Sequence, residues 1–211
     1  MPDLARQRLR SKFEAAVLDA GAKTTHATHG AAKQAVIGAM RGTVVELGPG
    51  TGVNMRYYAP GVKVIAIEPN PVMHERLRAK ADHHGVDLEI RTLRGEAIDV
   101  ADESADGVVG TLLLCGVDDP VRVVAEAHRV LKGGGHYFFI EHVVAPHGSM
   151  THRLQRVALR PHRWAFNGCE VTRDSESVLR AGGFSEVEVA PLDVGPKGAY
   201  IRHFIVGTAT K

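Results

Sequence analysis

Thr43-Val44-Val45-Glu46-Leu47-Gly48-Pro49-Gly50-Thr51-Gly52 runs from five mostly apolar, strand-favouring residues straight into three glycines at alternate positions. A strand must end here and the chain must turn sharply. Glycine permits the turn, and lets a ligand approach the backbone without meeting a Cβ. A dinucleotide-binding turn would read G-x-G-x-x-G, its third glycine packing helix against strand. Gly48 and Gly50 fit that pattern, but position 53 is Val and the third glycine arrives one residue early, at Gly52. The turn therefore reads E-x-G-x-G-x-G.

The same alternation of apolar strand and helix continues outward from this turn. Strands are expected at 43–47, 62–68, 88–93, 105–115 and 136–141, the first four each closed by a cluster containing Gly or Pro. Helices are expected after 71, with Met73, Leu77 and Ala81 spaced by four, and at 121–131. Near-continuous apolar strands alternating with helices imply a parallel sheet covered on both faces. A helix near 172–181 and two late strands, 186–194 and 200–208, add an antiparallel hairpin at the sheet's edge. The expected fold class is α/β and Rossmann-like: seven strands, mostly parallel, with a C-terminal antiparallel hairpin. Ahead of it, 4–20 reads as an amphipathic helix with Leu9, Phe13, Ala16, Val17 and Ala20 on one face. Gly21 stops that helix, 22–30 reads as a loop or hinge, and a short helix reaches about Met40. Residues 1–40 thus form a helical cap or lid on a domain spanning 41–211, with 143–171 as a substrate-side insert.

Composition narrows the function. The 211 residues carry 26 Lys plus Arg against 24 Asp plus Glu, a net +2 that gives no support to nucleic-acid binding by bulk charge. The charge is uneven: six basic and three acidic residues in 1–40, eleven and fifteen in 41–146, nine and six in 147–211. The longest apolar run, 108–117, is far short of the roughly 20 residues a membrane span needs. No apolar leader opens the chain, so Cys115 and Cys169 are expected as free thiols in a reducing cytoplasm. Twelve histidines invite a metal, but His26/His29, His83/His84 and His142/His147/His152 lack tight spacing with acidic or thiol partners. No metal is expected.

In such a sheet, ligands bind beyond the carboxyl ends of the strands. Glu68 ends the second strand, where a carboxylate can accept both hydroxyls of a ribose; a solvated strand-end acid is the plainer alternative. Pro69, Asn70 and Met73 follow, Met73 offering a soft apolar surface to a base or an ordinary core side chain. Gly95-Glu96-Ala97 ends the third strand. Thr111-Leu112-Leu113-Leu114-Cys115 ends the fourth, its apolar character suiting an uncharged substrate. Lys132-Gly133-Gly134-Gly135 precedes the fifth, and Glu141-His142 follows it. Together with Glu46, Gly48, Gly50 and Gly52, these segments resemble class I S-adenosylmethionine methyltransferases over about 43–142. The resemblance implies S-adenosylmethionine as cofactor and S-adenosylhomocysteine as product. It implies that Glu68 holds the ribose, that the glycines admit the cofactor, and that Glu96 and Ala97 meet adenine. Cofactor contacts extend on this reading to Pro69, Asn70, Met73, Gly95, Thr111 and Leu112.

Thr111–Cys115, Phe139-Ile140-Glu141-His142-Val143, Asn167-Gly168-Cys169-Glu170-Val171-Thr172-Arg173 and Glu68-Pro69-Asn70-Pro71 resemble the methyltransferase-like 7 family of alkyl-thiol S-methyltransferases. The likeness covers about 43–190. It departs in two places: a helix at 4–20 replaces the family's hydrophobic anchor, and Pro49 stands where the family has Cys. The resemblance implies S-methylation of a small thiol by direct displacement, with Glu141 and His142 as catalytic groups and Cys115, Trp164 and Phe166 around the acceptor. Related C- or O-methyltransferases acting on quinones or phenols share the earlier motifs, and a non-catalytic cofactor-binding protein is a third reading. In the insert, Met150, Leu154, Val157 and Ala158 share one helical face among Arg153, Arg156, Arg160 and Arg163. That face suits a lid over the substrate, a contact with a membrane surface without insertion, or a core helix with a solvated Arg face. Oligomeric state is left open.

Overall fold

The computed structural model describes residues 2–166, 168–195 and 199–211, without the side chains of residues 2–10, 14 and 165. Seven strands form one sheet: β1 (Thr43–Leu47), β2 (Lys63–Ile67), β3 (Asp87–Arg91), β4 (Ala105–Thr111), β5 (Leu131–His142), β6 (Glu186–Asp193) and β7 (His203–Thr210). Their order is β3-β2-β1-β4-β5-β7-β6. The first five are parallel, and β7 runs antiparallel between β5 and β6. The expected hairpin therefore exists, but its second strand lies inside the sheet and β6 forms the edge. Pro191 is tolerated on that edge because it removes no donor from a central ladder.

Helices α1 (Pro2–Ile37), α2 (Pro71–His84), α3 (Pro120–Val130), α4 (Met150–Ala165) and α5 (Ser175–Arg180) surround the sheet. Adjacent residues of one strand serve opposite faces, as a pleated strand requires. Val108 packs in the core with Val123, Ala127 and Leu179 of α3 and α5, whereas Val109 packs with Ile37 and Leu77 of α1 and α2. Local signals set the helix ends. Asn70 caps α2 by accepting a bond from Val72 N, with Pro71 at the first position, and Gly85 closes it in the left-handed region at φ 67°. Asp119 and Pro120 start α3 in the same way.

Four expectations fail. The loop at 22–30 is helical, and α1 runs unbroken through Gly21. Tertiary contacts override the weak local propensity: His26 bonds to the Tyr57 hydroxyl at 2.7 Å, and the His29 ring lies 5.3 Å from that of Phe204. Phe13, expected on the buried face, is 61% exposed, while Ala15 is buried. The strand expected at 105–115 ends at Thr111, where Leu112 turns into the left-handed region at φ 56°. The fifth strand begins before its glycines, with Leu131 paired to Ala105 and an irregularity before His136.

Candidate active site

The site lies beyond the carboxyl ends of β1, β2, β4 and β5. Gly48, Gly50 and Gly52 all have positive φ, at 63°, 55° and 81°. A Cβ at Gly52 would stand 2.8 Å from Leu77 Cδ1 and 3.3 Å from the Leu77 Cα, so that position needs glycine for space as well as for conformation. Glu68, 6% exposed, faces this loop. One carboxylate oxygen accepts from Gly50 N at 3.0 Å and the other from Asn70 N at 2.8 Å. Burial raises its pKa, and those two bonds pull it back. Each oxygen keeps a free lone pair, as a ribose diol requires.

Beneath the loop lies a network that the sequence did not signal. Asn54 Nδ2 donates to Glu46 at 2.8 Å and to the Thr111 hydroxyl at 3.1 Å; the Tyr58 hydroxyl donates to Glu46 at 2.8 Å. Lys33 of α1 donates to Asn54 Oδ1 at 2.7 Å. Glu46 is thus a buried brace for Asn54. Burial pushes Lys33 down to about 8, against the attraction of Glu46. From α1, Leu18 reaches over Gly50, and Asp19 pairs with Arg76 at 2.9 Å and Lys80 at 2.6 Å. Lys80 also donates to the Thr51 hydroxyl. A cavity of about 150 Å³ separates α1 from the loop, lined by His26, Lys33, Gly52 and Arg56 among others. A cavity of about 720 Å³ opens at the opposite end of the strands near Gly42, Asp106 and His136. It lies away from the carboxyl ends where such sheets bind ligands.

Glu96 Oε1 accepts from the backbone N–H groups of Asp118 and Asp119, at 3.1 and 3.4 Å. Its Oε2 has no hydrogen bond and lies 3.5 Å from Arg94 Nε, which leaves it able to accept from an adenine amino group. Gly95 and Ala97 flank it in the turn after β3, and Met73 is buried at the start of α2.

The other end of the site is built around the turn after β4. Glu141 is completely buried and accepts from Leu113 N at 3.0 Å and Leu114 N at 2.9 Å. Burial pushes it up to about 8. It sits under the turn as a brace, not at the mouth of the site as expected, because its neighbour His142 occupies the alternate strand position. Arg173 clamps the same turn, donating to Leu114 O at 2.6 Å and Val117 O at 2.7 Å, and pairs with Glu170. Glu170 N donates to Cys115 O at 2.7 Å. Cys115 is buried as expected. Cys169 lies 3.4 Å from it and 3.6 Å from His142 Nδ1, so two thiols and an imidazole meet where sequence spacing gave no sign of a cluster. Cys169 is held well below the usual thiol range by Cys115 and then by His142 and His162, while the same contact and burial hold Cys115 up. Trp164 and Phe166 do not enclose this space: they are 78% and 41% exposed. Met150, Leu154 and Val157 are exposed as well, because α4 turns Gln155 and His162 inward instead. Gln155 ties α4 to the segment after β5 through Ala145 N at 2.8 Å and Val143 O at 3.2 Å.

A family described as a methyltransferase domain matches residues 45–139. The chain is 40% identical over 172 residues to the thiol S-methyltransferase TMT1B of Rattus norvegicus, covering 80% of this chain and 70% of that protein. It is 34% identical over 172 residues to the human thiol S-methyltransferase TMT1A, with the same coverage. A ubiquinone/menaquinone biosynthesis C-methyltransferase of Acidiphilium cryptum is 31% identical over 148 residues, covering 64% of this chain and 55% of that one. Among solved structures, a possible histamine N-methyltransferase of Thermotoga maritima superposes with a TM-score of 0.64 at 23% identity, covering 100% of this chain and 95% of that one. The sheet order, the glycine loop and the carboxylate at the end of β2 define a class I methyltransferase that uses S-adenosylmethionine. Within that class the chain belongs to the family of the thiol S-methyltransferases TMT1A and TMT1B. No helix among the described residues is long and apolar enough to cross a membrane.

Proposed function

We propose that this enzyme transfers a methyl group to the sulfur of a small, largely apolar thiol. Its relatedness to thiol S-methyltransferases over 80% of its length carries the reading. Bound S-adenosylmethionine supplies a methyl group on a positively charged sulfur with a good leaving group. The protein's task is then alignment. Glu68 takes the ribose hydroxyls, Glu96 Oε2 the adenine amino group, and the glycine loop the backbone-level approach. Lys33, 3% exposed and bonded to Asn54, supplies the counter-charge for the cofactor's carboxylate. Helix α1 closes this half as a lid, through Leu18 over Gly50 and Asp19 on Arg76 and Lys80.

An alkyl thiol has a pKa near 8.5, so a useful thiolate fraction exists at neutral pH without a strong base. That chemistry suits an acceptor end where Glu141 is spent on the turn and His142 is the imidazole that faces the acceptor. The free thiols Cys115 and Cys169 fit a reducing compartment such as the cytoplasm. On α4, the exposed Met150, Val157 and Trp164 beside Arg153, Arg156 and Arg160 support contact with an anionic membrane surface, from which apolar thiols would be drawn.

The test is mass spectrometry of the purified protein with S-adenosylmethionine and a mixed panel of alkyl thiols, phenols and quinols. A methyl thioether formed together with S-adenosylhomocysteine supports the proposal. A methylated quinol or phenol with no thioether replaces it by the chemistry of the quinone-modifying relative.

A further inference from the structure

The thiol and imidazole cluster has the dimensions of a coordination shell. Cys169 Sγ stands 3.4 Å from Cys115 Sγ and 3.6 Å from His142 Nδ1, and the three atoms all lie within 4.8 Å of one another. Around a tetrahedral zinc ion, with Zn–S about 2.3 Å and Zn–N about 2.0–2.1 Å, neighbouring ligand atoms stand roughly 3.5–3.8 Å apart. The two spacings from Cys169 match to within about 0.4 Å, and the third, between Cys115 Sγ and the His142 ring nitrogen, is no more than 4.8 Å. The three side chains come from separately fixed pieces of backbone. Cys115 rides on the turn braced by Glu141 and Arg173, and His142 ends β5 with its ring 4.7 Å from that of Phe204. Cys169 follows α4, its N–H bonded to Phe166 O at 3.0 Å. Ligands placed in advance in this way lower the ordering cost of binding. Two thiolates and one imidazole around a divalent cation make a neutral unit, the charge state that burial favours. The Arg173 guanidinium, which acts on Cys115, is already spent on Leu114 O, Val117 O and Glu170. His162, 4% exposed, stands beside Cys169 with a buried Nε2 that has no hydrogen-bond partner among the described residues.

We propose that Cys115, Cys169 and His142 form a three-ligand site for a thiophilic divalent cation of the zinc class, with its fourth position open to the acceptor. Zinc sites with three protein ligands keep that position for water or substrate. The second half of the proposal rests on the thiol reading given above. The acceptor thiol enters the open position as thiolate, and its proton passes to solvent. Its sulfur electron pair then forms the new bond to the methyl carbon as the bond from that carbon to the sulfonium sulfur breaks. The thioether, a weak ligand, leaves, and S-adenosylhomocysteine is the other product.

The probe is Co²⁺, titrated into the full chain after treatment with a chelator and a non-thiol reductant, and read by absorption in the near-ultraviolet and visible. One equivalent should give a thiolate-to-cobalt charge-transfer band that Zn²⁺ displaces. Cys115→Ser and Cys169→Ser should lose the band, and His142→Ala should weaken Co²⁺ binding by about tenfold or more. His147→Ala, on an exposed loop outside the cluster, should bind as the unaltered protein does. An alkyl thiol added without cofactor should shift the visible bands; no shift removes the open position. Absence of the charge-transfer band in the unaltered protein overturns the site, whatever the variants do. Binding unchanged in the double cysteine variant overturns it equally. The readout needs no turnover. Thioether formed by a protein without the band removes the cation and leaves the thiol reading, whereas a full band without thioether leaves the site and removes the thiol.

Discussion

Replacing Glu68 by Ala should weaken cofactor binding by about two orders of magnitude. Its carboxylate is 6% exposed, and each oxygen is already fixed by one backbone donor, Gly50 N at 3.0 Å and Asn70 N at 2.8 Å. The remaining lone pairs point where two ribose hydroxyls would donate. A hydrogen bond to a charged group contributes about 1.5–3 kcal/mol net, so two are worth about 3–6 kcal/mol. Water entering the truncated site recovers part of this, which favours the low end, about 3 kcal/mol. At about 1.4 kcal/mol per decade, the dissociation constant rises about 100-fold. Glu68→Gln keeps one carbonyl acceptor but turns an NH₂ toward a backbone donor, so about tenfold is expected. The alanine variant also strands two backbone N–H groups and should lose about 2 kcal/mol of folding stability. Calorimetric titration with S-adenosylhomocysteine, with far-UV circular dichroism as the folding control, reads both quantities. A folded alanine variant that binds within threefold of the unaltered protein would make Glu68 a brace for the glycine loop and nothing more.

Lys33 carries a pH signature: it titrates near 8 in the fold and near 10.5 when unfolded, so the unfolded chain holds the extra proton between those values and stability rises with pH across that window. Lys33→Met should abolish the rise, and equal urea midpoint shifts in both proteins from pH 8 to pH 10 would contradict the assignment. Arg173→Met leaves two buried carbonyls without their charged donor and should cost about 2–4 kcal/mol in chemical denaturation, so an unchanged midpoint would refute the clamp. Leu112→Gly relieves a side chain held at φ 56° and should raise the melting temperature, by roughly 1 kcal/mol of relieved strain; a lower melting temperature would show that the turn is not strained. Trp164 is the chain's single tryptophan and is 78% exposed, so its emission should shift to the blue with anionic vesicles and not with zwitterionic ones. No shift with either removes the membrane contact.

The strands were legible because their apolar runs are short and end at glycine or proline; β1 lies where the pattern put it, and the glycine loop with Glu68 followed directly. What failed depended on contacts between distant segments. Nothing within 22–30 announces a helix, since His26 and His29 gain their reasons for order from Tyr57 and Phe204. The apolar face of 150–158 left a lid, a membrane contact and a core helix all open, and the polar Gln155 and His162 are the buried positions, because backbone donors and ring contacts on the domain call for polar partners there. Glu141 and His142 read as a pair, but strand alternation sends them to opposite environments. Cys115, His142 and Cys169 are separated by 27 residues at each step, too far for any spacing rule, and only the order of the sheet brings them together.

The place of β7 has a consequence for how the chain is made. His136 pairs with Thr210 and His142 with Phe204, so β5 has no partner on its outer side until nearly the whole polypeptide has been synthesised. Domains assemble from the amino end as the ribosome delivers them. The half that carries the glycine loop and Glu68, closed by local parallel pairs between β1, β2, β3 and β4, can therefore settle early. The half that carries His142 waits with an open, apolar edge exposed to other nascent chains. Aggregation during biogenesis is thus expected to begin at β5, and a chaperone that shields that edge would help this protein more than one that shields its glycine loop.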